Sequence, residues 1–219
     1  MDFLFRLRDW LLHFLFPKSR QILELEALSS GEMLKTLPQA LGPELDENTL
    51  ALFDYTHPVV KEIVWEVKYN GNTVLAHKMG EILNDHIRQE LADRGVLERY
   101  EVVLVPMPVS DKRRFERGWN QAELLAKAVK ACDIARIFKY LPRQLAKVRH
   151  TESQTKTASK SEREHNLIHS MKVINPLSVE GKYVVLIDDV LTTGSTFAEA
   201  RRALREAGAK KILCIAVAH

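Results

Sequence analysis

Short apolar runs alternate with stretches of helical periodicity along most of the chain, and this alternation predicts an α/β protein. The predicted strands are Leu50–Tyr55, Glu101–Pro106, Ala135–Leu141, Met171–Ile174, Tyr183–Ile187 and Lys211–Val217. Several of these runs are continuously apolar, which is typical of strands buried on both faces of a parallel sheet. Strands separated by helices predict a mainly parallel sheet with right-handed crossovers.

Helices are predicted where apolar positions recur every three or four residues. They cover Pro58–Asn70, Thr73–Arg94, Asn120–Ala131 and a segment that begins at Phe197. Pro58 suits a first helical position, while Gly71 and Gly95 are signals that end a helix. The last helix has an apolar face, and four of its charged side chains are predicted to face solvent: Glu199, Arg201, Arg202 and Arg205.

Residues 1–49 differ in pattern from the rest and are predicted to form a helical N-terminal extension. Met1–Pro17 predicts an amphipathic helix with one narrow polar stripe, and Ser19–Asn48 predicts a variable connector of short helical fragments and turns. The amphipathic helix would dock on its own domain or on a partner chain. A position in a membrane interface is the alternative, weakened by the scarcity of lysine and arginine. Residues 50–219 then form the main domain.

Composition indicates an ordinary soluble protein. A chain of 219 residues is long enough for one good-sized domain with a small appendage, and a formal net charge of +3 does not by itself argue for nucleic acid. Cys132 and Cys214 are the only cysteines, which argues against a disulfide scaffold and predicts a cytoplasmic protein. No apolar run approaches the length of a membrane span, and Met1–Pro17 lacks a signal-peptide pattern.

The chemistry concentrates after the apolar run Tyr183–Ile187. Asp188 and Asp189 follow it directly, and a small polar turn leads into the last helix: Thr192, Thr193, Gly194, Ser195 and Thr196. Backbone N–H groups at a helix N-terminus, hydroxyl donors and a glycine together suit a phosphate, and two carboxylates suit the vicinal hydroxyls of a ribose. This pattern favours a sugar phosphate over a P-loop nucleotide site, which needs a lysine in the turn. Taken alone, the acidic pair is also compatible with ordinary helix capping.

A second candidate site is the basic segment after Pro106. Four cationic side chains crowd this predicted loop, and Gly118 permits unusual backbone angles beside them: Lys112, Arg113, Arg114 and Arg117. Ligands of parallel sheets bind beyond the carboxyl ends of the strands, so we expect this loop and the Asp188–Thr196 turn to lie on one rim. An anion site is the functional interpretation of the loop, and a solvated basic loop is the alternative.

The segment Arg143–His165 is polar, basic and without hydrophobic period. A stretch of this length without regular structure is usually functional or disordered. It would serve as a flap that closes over a polyanion, or as a contact for nucleic-acid backbones, and the sequence does not separate these uses. His165 and His169 have i,i+4 spacing but no third ligand, so zinc binding is only a weak alternative.

Three motifs together resemble a known family. VPMPVSDKRRFERGWNQAELLAKAV, RHTESQTKTASKSEREHN and VVLIDDVLTTGSTFAEARRALREAGAKKI occur in the order and spacing of the ComF-like branch of type I phosphoribosyltransferases. Proteins of this branch are associated with DNA uptake in competent bacteria. The resemblance covers roughly Leu50 to the C-terminus, and VVLIDDVLTTGST looks like the motif for phosphoribosyl pyrophosphate (PRPP).

The resemblance implies a three-layer α/β fold with a five-stranded parallel core, and the binding of PRPP with Mg²⁺. By this resemblance Asp188 and Asp189 would be the catalytic acids that hold the ribose hydroxyls and meet Mg²⁺ through PRPP. The 5-phosphate would lie in the turn of Thr192, Thr193, Gly194, Ser195 and Thr196. Pyrophosphate would face Arg113, Arg117 and Gly118, and a flexible loop would carry Arg149, Thr151, Ser153 and Gln154. Because adjacent strand residues point to opposite faces, both aspartates reach one ribose only if the chain already turns there.

Two features depart from the family pattern. Relatives usually carry a four-cysteine zinc module near the N-terminus, but no cysteine precedes Cys132 here, so we expect no zinc ribbon. Relatives that salvage hypoxanthine or guanine carry an aspartate where this chain has Thr192. We do not expect purine salvage, because no general base for a purine nitrogen is evident.

Two hypotheses of different class follow. The first is an active phosphoribosyltransferase that transfers phosphoribosyl to an unknown acceptor and releases pyrophosphate. The second is a non-catalytic, PRPP-responsive module of DNA uptake, with single-stranded DNA or competence proteins as partners and with DNA contacts at Lys156, Lys160 and Arg163. We expect a homodimer in either case, and no membrane partner.

Overall fold

A five-stranded parallel sheet forms the centre of the computed structural model, which describes residues 18–40, 46–148 and 169–219. In chain order the elements are α1 (Arg20–Ala27), α2 (Ser30–Thr36), β1 (Thr49–Phe53), α3 (Pro58–Trp65), a π-helical turn (Glu66–Asn70), α4 (Thr73–Asp93), β2 (Val102–Pro106), α5 (Asp111–Arg117), α6 (Gln121–Cys132), β3 (Phe138–Tyr140), β4 (Leu145–Lys147), β5 (Met171–Val173), a 3-10 turn (Pro176–Ser178), β6 (Tyr183–Val190), α7 (Ser195–Glu206) and β7 (Lys211–Ala218). The predicted α/β class is confirmed.

The strand order is β1-β7-β6-β2-β3, and every neighbouring pair is parallel. Alternate residues of β6 enter two separate cores: Tyr183, Val185 and Ile187 face one, and Val184 and Leu186 face the other. Helices α1 to α4 and most of α6 cover the first face, while α7 and the strands β4 and β5 cover the second. This is the three-layer arrangement that the sequence predicts, with a helical N-terminal part.

Strand β6 is longer than predicted. The sequence places Asp188 and Asp189 in a turn after the strand, but β6 continues through both of them to Val190. The reason is the neighbouring strand, because Asp188 and Val190 remain paired with Ala216 and Ala218 of β7.

Two segments predicted to lack regular structure contain elements. The basic loop after β2 folds into α5, whose first turn is capped by the Ser110 hydroxyl and whose end is marked by Gly118 at φ +87°. The segment after β3 contains β4, which pairs antiparallel with β5 in a separate two-stranded sheet. Strand β5 therefore does not belong to the parallel sheet.

The charged side of α7 is less exposed than its periodicity predicts. Glu199 and Arg201 are buried, at 5% and 8% exposure. Glu199 accepts the Met171 N–H of β5 at 3.0 Å, and Arg201 donates to the Thr49 hydroxyl at 2.7 Å and to the Asp46 carboxylate. These buried charges are tolerated because each has an ionic or hydrogen-bonded partner.

In the described ranges, no helix has both the length and the apolar character needed to cross a membrane.

Candidate functional site

The carboxyl ends of β2 and β6 lie side by side at the centre of the sheet. The Met107 N–H donates to the Ile187 carbonyl at 2.8 Å, so the pairing of the two strands extends past the end of β2. At this edge Gln121, the first residue of α6, donates from Nε2 to Asp189 Oδ1 at 3.4 Å. The predicted convergence of the two segments on one rim is thus confirmed.

Asp188 and Asp189 meet different neighbours. Asp189 is 5% exposed, and its Oδ2 lies 3.4 Å from the Lys68 ammonium of the π-helical turn. That oxygen has no hydrogen-bond partner among the described residues, although it is buried. Asp188 is only partly buried, and its Oδ1 accepts the Asp189 backbone N–H at 2.9 Å.

Burial and the adjacent carboxylate of Asp189 both disfavour the charged form of Asp188. Burial, and next the adjacent Asp189 carboxylate, raise the pKa of Asp188 well above its usual range, while Lys68 acts in the opposite direction. Burial and the charge of Arg113 lower the pKa of Lys147, which the charge of Asp188 partly restores. Lys147, at the end of β4, therefore interacts electrostatically with Arg113 of the predicted pyrophosphate site and with Asp188 of the acidic pair.

The turn between β6 and α7 presents hydrogen-bond donors to the same rim. Gly194 occupies the N-cap position of α7 with φ +75°, a left-handed conformation that favours glycine. Helices α1 to α6 each have a side-chain cap, from Ser19, Ser29, His57, Asn72, Ser110 and Asn120, and α7 is the described α-helix without one. The N-cap residue therefore supplies no side-chain acceptor; the Ser195 N–H makes one long contact, 3.5 Å to Thr193 Oγ1. Unpaired N–H groups at a helix N-terminus suit an anion.

The hydroxyl groups of this turn lie close to those N–H groups. Thr193 Oγ1 and Ser195 Oγ are 2.8 Å apart, and Thr192 and Thr193 are exposed. Ser195 and Thr196 form the first turn of α7, two residues earlier than the predicted helix start. The five predicted phosphate residues therefore form the turn into α7 and its first residues, directly after β6.

The arginines of α5 have different partners. Arg114 forms an ion pair with Glu123 at 2.6 Å, which ties α5 to α6. The Arg117 guanidinium lies over the Tyr69 ring, 4.9 Å from its centroid, and Nη1 donates to Gln121 Oε1 at 3.3 Å. Arg117 is therefore linked to Asp189 through Gln121, and Arg113 lies close enough to Lys147 to lower its pKa.

The remaining predicted site residues fall outside the described ranges. These are Arg149, Thr151, Ser153 and Gln154, together with the suggested DNA contacts Lys156, Lys160 and Arg163. The N-terminal amphipathic helix, residues 1–17, lies outside them as well.

The structure adds three site residues that sequence reasoning missed: Lys68, Gln121 and Lys147. Lys68 lies in a π-helical turn, a rare element that frequently marks functional positions. Gln121 stands inside the first quoted motif and Lys147 two residues before the second, but their partners are distant in sequence. A signal for Lys68 was available in the Lys-Tyr-Asn-Gly ending of a predicted helix, directly before a turn.

The donor set is compatible with Mg²⁺ only if a ligand completes the coordination. Among residues 18–40, 46–148 and 169–219, no three His, Cys, Asp or Glu side chains are grouped to hold a metal ion. Asp188 and Asp189 supply oxygen donors, including the buried Asp189 Oδ2 without a hydrogen-bond partner. Mg²⁺ is commonly bound by one or two carboxylates together with substrate phosphates and water, so this pair fits a metal shared with a phosphorylated ligand.

Comparison with known proteins gives a domain match and several similar proteins. The phosphoribosyl transferase domain model matches residues 123–219, which include most of α6 and all of β6 and α7. The competence protein ComFC of Bacillus subtilis is 30% identical over 156 residues, 70% of this chain and 57% of that protein. The DNA utilization protein YhgH of Salmonella typhimurium is 26% identical over 169 residues, 76% of this chain and 69% of that protein.

Among solved structures, the allosteric regulatory enzyme of purine biosynthesis is similar over 69% of this chain and 30% of its own, at 23% identity and a TM-score of 0.40. The domain match and the curated relatives agree with the three motifs and with the parallel sheet. The chain therefore matches a phosphoribosyl transferase domain over residues 123–219, and it is similar to competence and DNA utilization proteins.

Proposed function

We propose that the protein binds PRPP with Mg²⁺ and transfers its phosphoribosyl group to an acceptor, with release of pyrophosphate. The observation that carries this proposal is the arrangement at the end of β6. The partly buried Asp188 and the buried Asp189 are followed by the turn into α7, and Asp189 contacts Lys68 and also Gln121, the partner of Arg117. A ligand with a phosphate at one end, hydroxyls in the middle and a pyrophosphate at the other end matches this order of donors and acceptors.

In the proposed complex each group has a separate task. The N–H groups and hydroxyls at Gly194–Thr196 bind the 5-phosphate, and the acidic pair accepts hydrogen bonds from the ribose hydroxyls. Arg113, Arg117 and Lys68 face the pyrophosphate. Mg²⁺ bound to pyrophosphate oxygens would stabilise the charge that develops on the leaving group.

The chemical step is a displacement at the anomeric carbon. The bond between this carbon and the pyrophosphate oxygen breaks, and its electron pair leaves with pyrophosphate. A lone pair of the acceptor forms the new bond, and the acceptor proton is released to solvent. Charge builds on the ribose and on the leaving group, so stabilisation by pre-oriented carboxylates and cations supplies most of the rate.

Product formation tests the enzymatic proposal. The purified protein, PRPP and Mg²⁺ are incubated with a panel of nitrogenous bases and amines, and mass spectrometry and ³¹P NMR detect ribosylated product and pyrophosphate. We expect turnover with one class of acceptor, at least about 100-fold lower in Asp188→Asn and Asp189→Asn, since both remove charge stabilisation from the transition state. The exposed Asp93→Asn serves as a control and keeps the rate. Binding of PRPP without product from any acceptor would contradict the transferase proposal.

A second candidate function is a DNA-associated module, favoured by exposed aromatic side chains beside the site. Trp65 and Tyr69 are 51% and 46% exposed, with ring centroids 5.5 Å apart, and Arg117 lies over the Tyr69 ring. Aromatic rings next to cations are typical of surfaces that bind single-stranded nucleic acid. Two relatives are named for competence and for DNA utilization, which agrees with this surface.

Fluorescence anisotropy with a labelled oligothymidine tests this candidate. We expect an affinity that decreases with salt concentration and falls at least about fivefold in Trp65→Ala, because one stacking contact is worth about 1–3 kcal/mol. Leu177→Ala, at an exposed apolar position (76%) in the 3-10 turn, is the control. An affinity that is insensitive to salt and to Trp65→Ala would rule out this surface.

A further inference from the structure

We propose that Gln121 is a positioning residue that joins the pyrophosphate side of the site to its ribose side. The proposal rests on the PRPP-binding function proposed above and assigns a specific part of it to one side chain. The carboxamide of Gln121 contacts an arginine on one side and an aspartate on the other, and both belong to the candidate site.

The carboxamide is buried and its orientation is determined. Gln121 is 6% exposed; its Oε1 accepts from Arg117 Nη1 at 3.3 Å, and its Nε2 donates to Asp189 Oδ1 at 3.4 Å. A guanidinium only donates and a carboxylate only accepts, so a single amide orientation satisfies both partners. The two lengths are at the long end for hydrogen bonds, which leaves room for both partners to shorten their contacts when a ligand binds.

The backbone of Gln121 is held by a separate set of contacts. Asn120 caps α6 by accepting the Ala122 N–H at 2.9 Å, and its amide donates to the Met107 carbonyl at 2.9 Å, at the end of β2. Asn120 is itself buried, at 3% exposure. Gln121 therefore projects from a fixed point toward the end of the adjacent strand β6.

The neutral amide of Gln121 lies between two opposite charges, those of Arg117 and Asp189. Arg117 and Asp189 carry opposite charges, and a direct ion pair would engage both of them with each other instead of with the ligand. Gln121 occupies one N–H of Arg117 and one oxygen of Asp189, and it leaves their remaining donors and lone pairs available. On the far side of the carboxylate, Lys68 lies 3.4 Å from Asp189 Oδ2 and limits its rotation.

A comparison of ligand fragments provides the test. Isothermal titration calorimetry measures PRPP, inorganic pyrophosphate and ribose 5-phosphate, each with Mg²⁺, on the full chain. In Gln121→Met, which preserves size but removes both hydrogen bonds, we expect a loss of about threefold for each fragment and about tenfold for PRPP, equivalent to about 1.4 kcal/mol. The loss for PRPP is the product of the two fragment losses because PRPP contacts both sides.

The variant Gln121→Glu gives a signature that a purely structural role would not produce. Its carboxylate still accepts from Arg117, but it no longer donates to Asp189 and repels it. Ribose 5-phosphate affinity should therefore fall more than pyrophosphate affinity. Asn84→Leu is the matched control, since Asn84 is a buried amide (1% exposed) that donates to the Val129 carbonyl on the same helix α6 at 3.1 Å.

Three results would overturn the proposal, and one of them does not require PRPP. Unchanged PRPP affinity in Gln121→Met, or equal losses in the Asn84→Leu control, would reduce Gln121 to a structural residue. If the wild-type protein binds no PRPP, the proposed function fails. The contact between Gln121 and Asp189 is then tested by NMR in the ligand-free protein. The ¹H–¹⁵N signals of the Gln121 side-chain amide should then move in Asp189→Asn but not in Asp93→Asn, and an unmoved signal would exclude the contact.

Discussion

At the scale of single residues, the neighbouring Asp188 and Asp189 lie in two different environments. Asp189 is contacted by Lys68 and Gln121 on the face of the sheet covered by α6. Asp188 instead interacts electrostatically with Lys147 of β4, in the two-stranded β4–β5 sheet, here called the hairpin. Two neighbouring residues of a strand face opposite ways, so this division follows from strand geometry. The expectation that both hold the same ribose stays a prediction.

The pH dependence of stability tests the environment of Asp188. A carboxyl group whose pKa is raised in the folded state binds its proton more tightly there than in the unfolded chain. Folding stability is therefore lost as pH rises from the unfolded pKa of about 3.9 through the raised folded pKa. Asp188→Asn should unfold at a higher temperature than wild type at pH 8, by about 2–4 °C for each kcal/mol gained, and the difference should vanish near pH 3.

Thermal unfolding followed by circular dichroism at several pH values measures this effect. Asp93→Asn is the control, because Asp93 is exposed at the end of α4. A destabilised Asp188→Asn at pH 8 would show that the carboxylate contributes favourably to the fold, contrary to this account.

Sequence reasoning singled out the acidic pair and the candidate phosphate turn, but not the partners of these residues. The acidic pair was visible because its type and spacing are local. Lys68 and Gln121 contact Asp189 across 121 and 68 positions of the chain, and only the packing of the π-helical turn and α6 beside β6 brings them together. No local pattern encodes such contacts.

At the scale of elements, α7 does more than present its N-terminus. Glu199 Oε1 accepts the Met171 N–H of β5 at 3.0 Å, and Arg202 Nη2 donates to the Met171 carbonyl at 3.0 Å. The side chains of Glu199 and Arg202 thus hydrogen-bond to the N–H and the carbonyl of Met171, as the backbone of a neighbouring strand would. The helix after the candidate phosphate turn is thus attached to the hairpin that carries Lys147.

Hydrogen exchange tests this attachment. Glu199→Ala removes the acceptor of the Met171 N–H, so we expect exchange at Met171 to accelerate about tenfold, as the loss of about 1.4 kcal/mol implies. Glu206→Ala is a matched control, since Glu206 bonds to Arg202 but is exposed and is not a partner of β5. Equal exchange rates in wild type and Glu199→Ala would show that the hairpin is held by its own pairing.

The contact between α4 and α6 depends on a glycine. A Cβ atom at Gly80 would lie 2.3 Å from the Ala128 Cβ and 2.8 Å from its backbone carbon. Gly80→Ala should therefore destabilise the protein by about 1–3 kcal/mol, although alanine favours a helix by about 1 kcal/mol over glycine. Urea denaturation measures the change.

Gly31→Ala separates helix propensity from steric overlap. A Cβ at Gly31 in α2 meets nothing within 4 Å, so this substitution should be neutral or stabilising by up to about 1 kcal/mol. Equal effects of the two substitutions would contradict the close approach of α4 and α6.

At the scale of the whole molecule, the parallel sheet was predictable and the small hairpin was not. Continuous apolar runs such as Tyr183–Ile187 determine a strand by composition alone. Strand β4 has only three residues, and its pairing with β5 connects Leu145 to Val173, so neither hydrophobic period nor length distinguishes it from a loop. The charged face of α7 was predicted to be solvated because periodicity carries no information about Asp46 or Met171, the partners of Arg201 and Glu199.

The division into an extension and a main domain at residue 49, and the expected homodimer, stay predictions. In the described residues, Ile22 of α1 and Met33 of α2 are buried in the core that also contains α3 and α4. The part of the extension that the structure describes therefore packs on the main domain rather than standing apart from it.

The most direct test of the central claim is calorimetry of PRPP binding in the presence of Mg²⁺. The account predicts saturable heat with one site per chain for the wild-type protein, and loss of that heat in Asp188→Asn/Asp189→Asn while the variant remains folded. No heat from the wild-type protein, or equal affinity in the double variant, would contradict it.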